Sequence, residues 1–296
     1  MISTLSLIVG ILAAAPWSIT AQEYPIIGVR SGINMRTGEM PIRRNINNIY
    51  GEAGPQWDLY VGALAAMQDA NETDSTSFFQ EFMDSHTWPG REEDHRPERT
   101  LDIARTTKDC LALGIADISR FTRFQVLVRY AKRIAMSYPE PHKRAYVEAA
   151  DSLRAAYWDW AADSQVPPMT ALPTLVTKKP VDGALQSVAV RNPFYRYNYP
   201  KTALDGSFGS FDGQNYTKRC VENGESYPDT ANAKLTGYNL KEKVYNVFVK
   251  ATSFDEMVTA QNEGPNFEGP HGEVHVGAAC GQDLLHLSTS AFEPLL

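Results

Sequence analysis

Apolar positions recur at helical spacing in several separate stretches of the chain. In Gln56 to Asp69 (QWDLYVGALAAMQD), the apolar side chains Trp57, Tyr60, Leu64 and Met67 fall three or four residues apart, which predicts an amphipathic helix. From Val126, the residues Leu127, Tyr130, Ile134 and Met136 predict a second helix that stops before Pro139, because proline cannot continue it. Tyr146 to Trp160 reads as a third helical stretch. Leu240 to Thr252 and Phe254 to Gln261 read as two more, and a last helix is expected after Pro270. Between these stretches the pattern lapses. Tyr24 to Gly51 is turn-rich and basic. Residues 163 to 240 are rich in Pro, Gly, Asn and Tyr, which predicts long ordered loops with short strands. No internal repeat is visible, and the fold class expected from the pattern is mainly α.

Two segments depart from that globular pattern. Residues 84 to 109 are crowded with Arg, Glu, Asp, Thr and His and show no sustained period, so composition alone reads them as a disordered insertion. At the other extreme, Leu5 to Ala15 is a short apolar run followed by small residues up to Ala21. This predicts a signal peptide over residues 1–21, although the basic residue expected near its start is missing and a buried first helix has the same pattern. Two N-glycosylation sequons, Asn71-Glu72-Thr73 and Asn215-Tyr216-Thr217, agree with a secreted or endomembrane location.

Composition bounds what remains. The 296 residues are 43% hydrophobic and 21% charged, enough to bury a sizeable core. A net charge of −7 gives no reason to expect nucleic acid or an anionic membrane as partner. After the leader no stretch is apolar enough to span a bilayer. The three cysteines, Cys110, Cys220 and Cys280, define no disulfide framework; at most Cys220 and Cys280 pair.

The most distinctive motif is Leu153-Arg154-Ala155-Ala156-Tyr157-Trp158-Asp159-Trp160-Ala161, an aromatic-rich stretch with one Asp between two Trp. Its aromatics read as core packing. As a string, however, it resembles the L-R-x-P-Y-W-D-W-A element of the tyrosinase family of type 3 copper oxidases, with Ala156 in place of the usual Pro. Asn192-Pro193-Phe194-Tyr195 is similar to that family's N-P-L-Y element, and Gly54 to Tyr60 is similar to its N-terminal helix start. The resemblance implies an antiparallel four-helix bundle with long ordered loops, incomplete in this chain, over residues 22–296.

Phe267-Glu268-Gly269-Pro270-His271-Gly272-Glu273-Val274-His275 resembles the family's second copper segment, E-x-x-H-x-x-x-H. Physics agrees with the spacing: histidines at i and i+4 share one helix face, so both imidazoles can reach one metal, and copper favours imidazole nitrogen. Alone, this spacing is a weak signal. The resemblance makes His271 and His275 copper ligands and gives Glu268 the role of orienting a water. It puts Gly272 where the family has an Asn that assists proton removal from monophenols. A zinc-protease reading would need Glu directly after the first His, where Gly272 stands. Ala291 to Leu295 resembles the family's lead-in to the third His of this site, a ligand that does not appear before Leu296, and His286 matches a family His that is not a ligand.

The family's first copper segment (I-H-G-x-P, C-x-H, W-H-R-x-Y) is not visible in the written frame. His86, His95 and His142 lack its neighbours, and His86 reads as a surface or packed histidine before a metal ligand. A shifted frame recovers the segment. Taking each codon's third base with the next two bases, Met83-Asp84 must give Gly and Trp88-Pro89 must give Ala. Degenerate codons around them permit G-I-H-G-L-P-Y-V-A-W, then Y-C-T-H over Asp102 to Thr106 and W-H-R-R-Y over part of Leu113 to Arg123. The string is permitted rather than forced, but a single frame gives the family's histidine spacing. The expectation is that residues 81–123 are out of frame, through a misplaced intron boundary or a gene lesion.

The function implied by the resemblance is oxidation of phenols and catechols by dioxygen at two copper ions, each held by three histidines, with a small phenolic substrate and dioxygen as partners. In the chain as written that activity is expected to be impaired. Two other readings stay open: a non-catalytic secreted remnant of the fold, and a single-metal zinc hydrolase built on His271 and His275.

Overall fold

The computed structural model describes residues 27–79, 124–204, 215–217, 219–221, 224–258 and 264–280. The proposed leader, the shifted-frame segment with His86 and His95, and the C-terminal residues with His286 lie outside these.

The described fold is mainly helical. Helix α1 spans Ile46–Glu52 and α2 spans Pro55–Asp69. Residues 124–135 form α3, and α4 is Lys143–Ser152. After a hairpin come α5 (Asp229–Gly237), α6 (Leu240–Lys250), α7 (Phe254–Val258) and α8 (Glu268–Ala279). Among the described residues no helix is long and apolar enough to cross a membrane.

α2 is the central element. Pro55 opens it, where a missing N–H costs nothing. The helix buries Trp57, Asp58, Leu59, Tyr60, Val61, Ala63, Leu64 and Met67, more than one stripe, because neighbours cover it on several sides. Ile134 of α3 lies against Gly62, and Phe194 stacks on both Trp57 and Tyr60 at centroid distances of 5.8 Å. The N-P-x-Y element thereby acquires a physical role. Buried Asn192 donates to the carbonyls of Met169 (2.6 Å) and Leu172, and its side chain accepts the Phe194 N–H at 2.8 Å, fixing the turn that delivers Phe194 to α2.

Three expectations are corrected. The third helix ends at Ser152, not Trp160. Past it, Arg154 donates to the carbonyls of Leu153 (2.7 Å) and Ser31 (2.6 Å), while Tyr157 pairs its backbone with Arg44 and Ile46. The Tyr-Trp-Asp-Trp stretch is thus extended chain and turn: Trp158 is buried and donates to the Asp163 carbonyl, and Asp159 accepts the Ala162 N–H. Second, Met136 lies past α3 and is exposed, and Tyr138 is buried in its place. Third, the 163–240 region holds, besides the short strands expected there, which form an antiparallel hairpin of β1 (Thr174–Val181) with β2 (Ala184–Arg191), the unforeseen α5. The hairpin turns through Asp182-Gly183, both at positive φ, the dipeptide that a two-residue turn favours.

β1 is fastened to the bundle by a buried polar cluster. Asp58 of α2 accepts the Tyr146 hydroxyl of α4 (2.6 Å) and the Lys178 N–H of β1 (2.8 Å), and Tyr138 donates to the Lys178 carbonyl (2.7 Å). Burial holds the Asp58 carboxyl above its ordinary range, against the lowering effect of these bonds. Burial, then the Asp58 carboxylate, holds both tyrosine hydroxyls well above the ordinary phenol range.

Candidate metal centre

The helix that carries the histidines starts earlier than its sequence predicts. α8 begins at Glu268, and Pro270 sits inside its first turn, where backbone N–H groups have no helical partner to lose. Asn266 caps this turn, its side chain accepting the Gly269 N–H at 3.0 Å.

Three sides of α8 have different tasks. Pro270, Val274, Gly277 and Ala278 are buried. At Gly277 the helix meets α5 so closely that an added Cβ would lie 2.7 Å from Leu235 Cδ2. On a second side, Glu273 pairs with Lys243 of α6. Beyond the helix end, Cys280 takes a left-handed conformation and forms a disulfide with Cys220, whose N–H donates to the Ala278 carbonyl at 3.0 Å. The one cysteine pairing left open by the sequence is therefore made.

The remaining side carries Glu268, His271, Gly272 and His275, at i, i+3, i+4 and i+7. Both imidazoles are half-buried, their Nε2 atoms are 3.1 Å apart, and their rings meet at 77° with centroids 4.7 Å apart. At metal–imidazole bonds of about 2.0 Å, nitrogens at that separation could both reach one ion. Two neutral nitrogen donors so placed fit copper. Glu268 stands one turn before the pair, and Gly272 has nothing within 4 Å of the position a Cβ would take. Among the described residues no group of three or more His, Cys, Asp or Glu is placed to hold a metal. His142 is an exposed residue just ahead of α4, remote in role from this pair.

Sequence reasoning missed the groups that hold α8 in place. The Lys243–Glu273 pair joins residues 30 apart and has no local signature. Gly277 could have been singled out as a glycine inside a helix, a position that usually has a packing reason.

A family model described as the common central domain of tyrosinase matches residues 129–296. The chain belongs to the tyrosinase family. Its curated relatives include polyphenol oxidase 4 of Agaricus bisporus, 29% identical over 258 residues, covering 80% of this chain and 41% of the relative. A tyrosinase of Podospora anserina is 26% identical over 284 residues, covering 87% of this chain and 49% of the relative. The chain thus spans less than half the length of either. Among solved structures, recombinant mushroom tyrosinase superposes with a TM-score of 0.69 at 21% identity, covering 92% of this chain and 50% of that one. The melB apo-protyrosinase of Aspergillus oryzae gives 0.72 at 18%, covering 94% and 60%. At such identities these structures establish the tyrosinase fold: the helical bundle expected from the motifs.

Proposed function

We propose that this tyrosinase-family chain derives from a secreted copper oxidase acting on phenols and catechols with dioxygen, and that His271 and His275 are two ligands of its second copper. The observation that carries this reading is the convergence of the two Nε2 atoms from successive turns of one anchored helix. Bound copper supplies the activation of dioxygen and accepts the electrons of the phenol ring. The chain's own residues do the rest. The two imidazoles hold the ion, Glu268 orients a water beside it, and Gly272 offers neither a proton acceptor nor a steric barrier. Catechols, which need less help in losing a proton, are then better substrates than monophenols.

The proposed domain runs from residue 22 to 296 behind a leader at 1–21, with a secretory destination. In the written frame, residues 81–123 lack the first-copper histidine motifs. We therefore infer that the chain as written holds a partial site rather than a coupled copper pair. Protein purified from a copper-supplemented host is expected to bind fewer than two coppers per chain, with binding lowered further by His271→Ala or His275→Ala. Two coppers per chain with a dioxygen-dependent absorbance band would overturn the partial-site reading. Undiminished copper in both alanine variants would overturn the ligand assignment. Zinc retained in preference to copper would favour the hydrolase alternative.

A further inference from the structure

The two sequons differ in what the fold does with their hydroxyls. Asn71 lies in the exposed turn that follows α2. Its side-chain oxygen accepts both the Thr73 N–H and the Thr73 hydroxyl, each at 2.9 Å, and its carbonyl accepts the Asp74 N–H at 2.8 Å. Among the described residues no hydrogen bond claims its side-chain nitrogen. The carboxamide is therefore exposed, oriented by its own sequon threonine, and polarised by the hydroxyl that donates to it.

Asn215 is also exposed, but its sequon is built into the protein. Thr217 is buried, and its hydroxyl oxygen accepts the Tyr197 N–H at 3.0 Å. The Asn215 carbonyl accepts the Tyr199 N–H at 2.8 Å, and Tyr216 bridges Asn198 in antiparallel fashion. In the folded chain this threonine hydroxyl is buried and engaged by the Tyr197 N–H, whereas that of Thr73 is bonded to its own asparagine.

We propose that Asn71, rather than Asn215, is the principal acceptor of an N-linked oligosaccharide. The donor is an oligosaccharide carried on a lipid pyrophosphate. Asn71 Nδ2 attacks the first sugar carbon. The N–C bond forms as the bond from that carbon to the pyrophosphate oxygen breaks, and its electron pair leaves with the lipid pyrophosphate. One Nδ2 proton passes to a base of the transferase. The transfer involves no net oxidation. The glycan then extends from an exposed side-chain nitrogen, while the neighbouring Glu72 keeps its contact with the Thr202 hydroxyl.

This inference rests on the secretory reading, and the test separates the two. The full chain is expressed in a secreting eukaryotic host with its own N-terminus, and in parallel from residue 22 behind an established leader. The secreted protein is treated with an amidase that removes N-glycans and is mapped by mass. The secreted chain should lose one glycan mass, and Asn71→Gln should abolish most of the shift. Thr73→Ala should do the same, Thr73→Ser should keep the shift, and Asn215→Gln should leave it nearly unchanged. Secretion with Asn71 unmodified, or equal occupancy of both asparagines, would overturn the proposal. A glycan at Asn71 only in the leader-fused chain would support it while overturning the leader assignment.

Discussion

A carboxylate is rarely buried, and Asp58, 3% exposed in the first turn of α2, is the residue on which the polar architecture of this bundle turns. Its two oxygens join three elements, α4 through Tyr146 and β1 through Lys178 to α2 itself. Because burial raises its folded-state value above 3.8, the native chain keeps a proton that the unfolded chain has already lost. Its contribution to stability is thus fully present below pH 3.8 and is lost as pH rises through the raised folded value. Asparagine imitates the protonated form and does not titrate. Thermal melts of wild type and Asp58→Asn between pH 3 and 7 should therefore show the variant gaining on the wild type as pH rises through that window. A constant difference across the series would mean that Asp58 does not titrate abnormally. None of this was legible in the sequence, where Asp58 is one of several polar residues on an amphipathic helix, because its partners lie 88 and 120 residues away.

Elements with strong periodicity were legible, and those built on short or local chemistry were not. α2, α3 and α6 follow from their apolar spacing. α5 does not, because Asp229–Gly237 (DTANAKLTG) mixes weak helix formers and buries only Thr230, Ala231 and Leu235. Short strands were expected over 163–240, but the hairpin was not placed among them, although Asp182-Gly183 carried its turn signal. The helical reading of Tyr146 to Trp160 held to Ser152 and failed beyond it, because Arg154 and the Tyr157 backbone find long-range partners that outweigh local propensity. At the candidate site, the shared face of His271 and His275 was legible from the helical repeat, whereas Glu268, which lies ahead of the expected helix start, and the anchoring of the helix were not. Two glycines of α8 make that contrast measurable. Gly272 is open, so Gly272→Ala should raise stability by about 0.5–1 kcal/mol through helix propensity alone. Gly277 abuts Leu235 and Tyr238, so Gly277→Ala should lower it by about 1–3 kcal/mol. Denaturant titrations decide this, and equal effects of one sign would refute the packing assigned to the α5–α8 contact.

At the scale of the molecule, one covalent link and one ribbon organise what the helices leave open. The Cys220–Cys280 disulfide closes a stretch of 60 residues that contains α5, α6, α7 and α8. Replacing both cysteines by serine should cost about 2–4 kcal/mol, chiefly by freeing the unfolded chain, and should loosen the end of α8 five residues beyond His275. Comparing unfolding midpoints of the oxidised protein and the double variant tests the first effect, and a difference below about 1 kcal/mol would show the link to be redundant. The ribbon has a different consequence. A two-stranded sheet offers unpaired N–H and carbonyl groups along its flanks, a template on which a strand from another chain can add. At Lys178 that template is closed from within, since Asp58 takes the N–H and Tyr138 takes the carbonyl, the two groups a neighbouring strand would use. Two side chains from the bundle thus stand in for a third strand at this point, and the same contacts that fasten β1 deny an incoming strand its pairing site at Lys178.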